Sequence, residues 1–161
     1  MSSKTRFLAL AGVTAALYAV LTLIVSPIAY GPVQFRVAEV LKPLAFLGAP
    51  YIWGLGVGLI LANAFSPMVG PWELAFMPVV SVLGGYLCRY LARRAGWLVA
   101  GAAYATIIAA AVAEMLHVVA HLPYGPTFAS LWVSELALIA VLGVPLVRML
   151  AERVRLTRWE S

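Results

Sequence analysis

Four glutamates, Glu39, Glu73, Glu114 and Glu135, stand in or beside long apolar stretches of this 161-residue chain, which contains no aspartate. In hydrocarbon an ionisable side chain costs at least about 2.5–3.5 kcal/mol, so a carboxylate kept there is a functional candidate by default. Asn63 closes the third apolar stretch and joins them, and Trp72, Trp132, Tyr30, Phe35 and Tyr124 fall at the same level of the expected bundle. A cavity floored by carboxylates and walled by aromatics suits a flat, nitrogen-rich ligand. The rings would stack on its faces while the carboxylates accept from its N–H groups. An interfacial aromatic belt is the competing use of the same rings. Arg36 lies three residues before Glu39, placed to pair with it or to touch a ligand. Lys42 reads as a snorkelling side chain, its stem in lipid and its charge at the interface.

The densest polar cluster is Glu114-Met115-Leu116-His117-Val118-Val119-Ala120-His121, in which positions 114, 117 and 121 share one helical stripe. One Glu and two His on a face could ligate zinc, nickel or cobalt, the alternative function to organic-ligand binding. The spacing is not that of the zinc proteases, and one helix offers only three ligands. Hydrogen bonding to an organic ligand, or a structural polar network, uses the same residues without a metal.

The elements that must position these groups follow from composition. Hydrophobic residues make up 64% of the chain and charged residues 11%, with a mean hydropathy of +0.99. Soluble domains run at about 45–50% apolar and about 25% charged, so lipid must be the solvent here. The apolar N-terminal run is too long for a secretory signal and lacks a cleavage pattern. Cys88 is the single cysteine, which excludes an intramolecular disulfide. A span needs about 20 apolar residues, and the pattern predicts helices over 5–25, 34–49, 51–65, 72–92, 96–120 and 128–150. The fold class is thus an all-α integral membrane protein, a compact bundle of six transmembrane helices forming a single domain over 1–161. Gly48-Ala49-Pro50 suits a tight reversal between the short second and third helices; one helix kinked at Pro50 would leave five spans.

Basic residues orient the bundle. Lys4 and Arg6, then Arg89, Arg93 and Arg94, then Arg148, Arg153, Arg155 and Arg158 fall on one side under a six-span count. The positive-inside rule makes that side cytoplasmic, with both termini and a basic tail over 149–161. The net charge of +5 is therefore a topological mark, and no nucleic-acid partner is expected. Three proline-rich connections, 26–32, 66–71 and 122–126, then face outward, and each is followed by a carboxylate: Glu39, Glu73 or Glu135. Glu114 also falls in the outer half of its helix.

Small residues four apart let helix backbones approach closely in lipid. Gly54, Gly58 and Ala62, and likewise Ala105, Ala109 and Ala113, suit packing inside the bundle. Ala11, Ala15 and Ala19, with Gly12 and Ala16 alongside, form a broader stripe that could take a helix from another subunit. No Gly-x-x-x-x-Gly-Lys-Ser/Thr loop is present, and no nucleophile–base pair stands out, so neither ATP hydrolysis nor another enzymatic activity is expected. The chain is also small for a transporter built from two repeats. It reads as a binding subunit that draws its energy from elsewhere.

The basic N-terminus, the segment Leu10-Ala11-Gly12-Val13-Thr14-Ala15-Ala16-Leu17-Tyr18 and the six short helices resemble the substrate-binding S components of energy-coupling factor transporters. Pro27-Ile28-Ala29-Tyr30-Gly31-Pro32-Val33-Gln34-Phe35-Arg36-Val37-Ala38-Glu39 is similar to the first loop of the QueT family, which is predicted to take up queuosine precursors. The resemblance is specific from about residue 8 to 92 and looser to 150. It implies a subunit in a prokaryotic plasma membrane that binds a 7-cyano- or 7-aminomethyl-7-deazaguanine from outside. It also implies partners: a transmembrane T subunit, met by Ala11, Ala15 and Ala19, and two cytoplasmic ATPases that bind ATP and magnesium, leaving this chain without a cofactor. Gln34, Phe35, Arg36 and Glu39 match the loop motif near the family's pocket. With Asn63, Trp72, Glu73, Glu114, His117, Trp132 and Glu135 they make up the expected substrate site.

Overall fold

The computed structural model describes residues 2–25 and 36–153, and the regular structure among them is helical. Six helices follow in order: α1 Ser3–Ile24, α2 Val37–Leu47, α3 Ala49–Asn63, α4 Trp72–Arg94, α5 Trp97–Ala120 and α6 Tyr124–Arg153. Helices α1, α4, α5 and α6 are long and apolar enough to cross a membrane, and α3 is a shorter apolar helix. The distribution of polarity is inverted relative to a soluble domain. Leu8, Val13, Leu17, Val57, Leu83 and Val141 are exposed, whereas Arg36, Glu39, Lys42, Asn63, Glu73 and Glu135 are buried. Hydrocarbon demands that arrangement, because it cannot satisfy a polar group that faces it.

Two boundaries differ from the sequence pattern. The second helix starts at Val37 rather than 34, and the sixth at Tyr124 rather than 128. Pro123 precedes α6, and its carbonyl accepts from both the N–H and the hydroxyl of Thr127, which closes the first turn. Helix α2 is wound throughout as a 3-10 helix. At roughly 2.0 Å rise per residue its 11 residues span about as much as the 15 residues of α3 at roughly 1.5 Å. Both are shorter than a hydrocarbon core of about 30 Å.

The chain reverses between them at Gly48, where φ is 156° and ψ 174°. Arg36, at the start of α2, donates from Nη1 to Oδ1 of Asn63, at the end of α3, over 3.2 Å. One helix kinked at Pro50 would hold those residues roughly 40 Å apart at 1.5 Å per residue, so the five-span alternative is excluded.

Helices α1 and α3 run parallel and in close contact. A Cβ on Gly54 would lie 2.6 Å from the carbonyl oxygen of Ala11, and one on Gly58 2.8 Å from that of Ala15. Ala15 and Ala19 are buried and Ala11 half-buried, so this stripe is taken up by packing within the chain. That corrects its expected use as the face for a partner subunit. The outward face of α1 carries Gly12 and Ala16 instead, and a Cβ on Gly12 meets nothing within 4 Å. Gly58→Leu is expected to force the backbones apart and to lower stability by about 3 kcal/mol, while Gly12→Leu stays within about 0.5 kcal/mol of the parent. Thermal unfolding of the two purified variants checks this.

Helices α4 and α5 are joined at Gly96, whose φ of 92° is a left-handed conformation that favours glycine. They pack through Gly84 and Gly85 against Tyr104, which brings the Tyr104 hydroxyl into the bundle axis.

Candidate functional site

The three proline-adjacent glutamates all lie where a helix departs from α geometry. Glu39 is on the 3-10 helix α2, Glu73 is in a π-helical turn, Trp72–Phe76, that opens α4, and Glu135 immediately precedes a π-helical stretch, Leu136–Gly143, inside α6. Such departures re-aim side chains and recur at functional sites. In α2 the effect can be read directly. Three residues per turn place Arg36, Glu39 and Lys42 on one stripe, whereas an α-helix would spread them over about 120°.

That stripe meets two groups of partners. Toward the end of the bundle where α3 finishes and α4 begins, the Arg36 guanidinium donates to Asn63 Oδ1 at 3.2 Å and to Glu73 Oε1 at 3.4 Å. Asn63 Nδ2 in turn donates to the Glu73 carbonyl at 2.9 Å. Deeper in the bundle the Tyr18 hydroxyl donates to Glu39 Oε1. Lys42 Nζ donates to Ser81 Oγ at 2.6 Å and stands 3.7 Å from Glu39 Oε2. It lies 5.6 Å from the Tyr18 ring centre and 5.3 Å from that of Tyr104. The Tyr104 hydroxyl donates to the Ser81 carbonyl at 2.6 Å, fixing the serine under the ammonium.

Lys42 therefore does not snorkel. Its residue is 0% exposed, and the 3-10 winding turns it toward Glu39 and the two tyrosine rings rather than toward an interface. Arg36 pairs with Glu73, not with Glu39 as its sequence neighbourhood suggests.

Glu135 completes the set from α6. It is buried and within electrostatic reach of Glu39, Lys42 and Arg36. One oxygen on each of Glu39, Glu73 and Glu135 (Oε2 in every case) makes no hydrogen bond among the described residues. A buried acceptor left unmade costs about 1–3 kcal/mol, and more when charged. Three such oxygens converge from α2, α4 and α6. With Arg36 and Lys42 counted, the five ionisable groups carry a formal charge of −1 when all are ionised.

The remaining expected residues fall outside this cluster or at its edge. Gln34 and Phe35 lie outside the described residues. Trp72 is half-buried beside Glu73, with its ring edge-on to Phe76 at 4.9 Å. Trp132 is exposed and donates from Nε1 to Thr106 Oγ1 at 3.0 Å on the outer surface. Glu114, His117 and His121 are also exposed. His117 Nδ1 is 2.8 Å from the Leu122 carbonyl, and His121 turns off the helix in a left-handed conformation with φ 55°. No group of three or more metal-ligating residues forms among the described residues, which removes the metal-uptake alternative built on Glu114, His117 and His121. Sequence reasoning missed Tyr18, Ser81 and Tyr104 as polar partners. The available signal was that each stands alone among alanine, glycine or valine on an otherwise apolar face.

With this geometry in place, comparison with known proteins decides the family. A family model described as QueT transporter matches residues 8–152. The chain belongs to the QueT transporter family. A QueT relative named queuosine precursor transporter QueT, from Lactococcus lactis subsp. cremoris (strain MG1363), is 41% identical over 66 residues. That match spans 40% of this chain and 39% of the relative, so the chain is aligned with well under two thirds of the relative's length. No solved structure matches. For a QueT family protein, a buried charged cluster inside a lipid-facing bundle is where cargo would be held.

Proposed function

We propose that this chain is the substrate-capturing subunit of an energy-coupling factor importer, and that its buried cluster holds a 7-deazaguanine. The observation that carries the reading is the convergence of three buried carboxylate oxygens with open acceptor capacity. A guanine-like edge presents adjacent ring and exocyclic N–H donors, which one carboxylate can accept as a bidentate pair. The Arg36 guanidinium can donate to the neighbouring carbonyl oxygen of such a base. The formal −1 balance favours a ligand that brings a positive charge, and so a 7-aminomethyl over a 7-cyano substituent. The relative's name, a queuosine precursor transporter, agrees with this substrate class.

In this reading the end of the bundle that holds Arg36, Asn63 and Glu73 faces outside, and the arginine-rich end of α4 faces the cytoplasm. Energy comes from a T subunit and two ATPases in the plasma membrane. The T subunit meets the outward face of α1 around Gly12 and Ala16, since the opposite face is packed on α3. Gly12→Trp is expected to abolish co-purification of the T subunit while leaving ligand binding intact.

Tryptophan fluorescence of the purified protein, titrated with a panel of 7-deazapurines, vitamins and divalent metals, tests the substrate class. The expected result is saturable quenching by 7-aminomethyl-7-deazaguanine that Trp72→Phe removes and Trp132→Phe leaves in place. Quenching by a vitamin or metal in its stead would overturn the assignment.

A further inference from the structure

The lipid-facing side of α3 and α4 carries a second built feature, unconnected to the buried cluster. An apolar groove of about 430 Å³ runs between the two helices, bordered by Trp53, Val57 and Ile60 on one side and Val79 and Leu83 on the other. Just past Leu83 a smaller pocket of about 190 Å³ is lined by Tyr86, Arg89, Tyr90 and Arg93. Residues 79, 83, 86, 90 and 93 follow one stripe of α4 at helical spacing, so groove and pocket lie end to end. A hydrogen bond from Trp53 Nε1 to the Tyr86 hydroxyl, 3.0 Å long, bridges the junction.

The chemistry changes sharply along this stripe. No carboxylate lines either part. Arg89 and Arg93 stand one turn apart, where like charges disfavour each other. The Arg94 guanidinium lies 5.3 Å from the Tyr90 ring centre and adds a third positive charge at the same end. An anion between Arg89 and Arg93 would relieve their repulsion, and the tyrosine hydroxyls could donate to its oxygens. An apolar slot leading straight from that anion site fits a molecule with a hydrocarbon tail.

We propose that this face binds one anionic phospholipid, its acyl chain in the α3–α4 groove and its phosphate between Arg89 and Arg93. The protein is reconstituted in nanodiscs of phosphatidylcholine doped with phosphatidylglycerol, and retained lipid is read by native mass spectrometry. Two basic residues near a membrane surface predict about a 30-fold preference for phosphatidylglycerol, falling to about 5-fold in Arg93→Gln and to none in Arg89→Gln/Arg93→Gln. Val79→Trp, which fills the groove and spares the arginines, lowers retention of both lipids alike. Arg93 is exposed, so its variant keeps the test open if the double variant fails to fold.

Equal retention of the two lipids by the parent protein would overturn the proposal. So would stabilisation by inorganic phosphate alone matching that by phosphatidylglycerol. A dimer that forms without lipid preference and dissociates in Arg93→Gln would assign the face to a second copy of the chain, and would equally overturn it.

Discussion

Glu39→Leu is expected to destabilise the protein by about 3–5 kcal/mol, whereas Glu39→Leu/Lys42→Leu recovers most of that loss. The asymmetry follows from where Lys42 sits. Its ammonium is 0% exposed and reaches two partners, the Ser81 hydroxyl at 2.6 Å and the Glu39 carboxylate at 3.7 Å. Removing the glutamate strands a charge among apolar side chains and takes the acceptor from the Tyr18 hydroxyl as well. Removing both charges leaves only that hydroxyl to be satisfied. Recovery is therefore large but incomplete. Thermal unfolding of the two single variants and the double variant closes a cycle, and the expected coupling is at least about 2 kcal/mol. A single variant as stable as the parent, or a double variant no better than the single, would show that Glu39 is not what holds the ammonium.

The second large effect concerns discrimination rather than stability. Glu135→Gln should cost about 10- to 100-fold in affinity for 7-aminomethyl-7-deazaguanine and leave the 7-cyano analogue within about 3-fold, the range expected for losing one hydrogen bond to a charged group. Glu135 is the member of the trio with no cation bonded to it among the described residues. Glu39 has Lys42 nearby and Glu73 has Arg36. A cationic substituent thus gains most from Glu135, while a neutral nitrile gains little. Equal losses for the two ligands would place Glu135 on the guanine-like edge instead.

The polar membership of the site could be read in the sequence because lipid makes it conspicuous: Glu39, Glu73, Glu135, Asn63 and Arg36 are expensive residues in apolar runs. Their partners could not be read in the same way. Lys42 near a helix end satisfies the snorkelling pattern equally well, and only the 3-10 winding of α2 turns it inward. Period arguments assume 3.6 residues per turn, so a 3-10 helix and two π-helical stretches defeat them at the places where the carboxylates sit. The Glu114-His117-His121 stripe shows the converse failure. Its spacing was read correctly, but α5 is apolar all round, so nothing in the pattern says which face packs inward. Tyr104, Ala105, Ile108 and Ala109 take that face, and the histidines are left outside. The alanine stripe of α1 was misassigned for a related reason. Small residues suit any close helix contact, and the glycines of α3 claim it first.

The central claim is that the three carboxylates meeting inside the bundle form the substrate site. Isothermal titration of 7-aminomethyl-7-deazaguanine into the purified protein, its Glu39→Gln, Glu73→Gln and Glu135→Gln variants, and the outward-facing Glu114→Gln as a control tests it most directly. The account predicts one saturable site per chain, at least about tenfold weaker in each of the three buried variants and unchanged in the control. Parent-like binding by all three buried variants would contradict it.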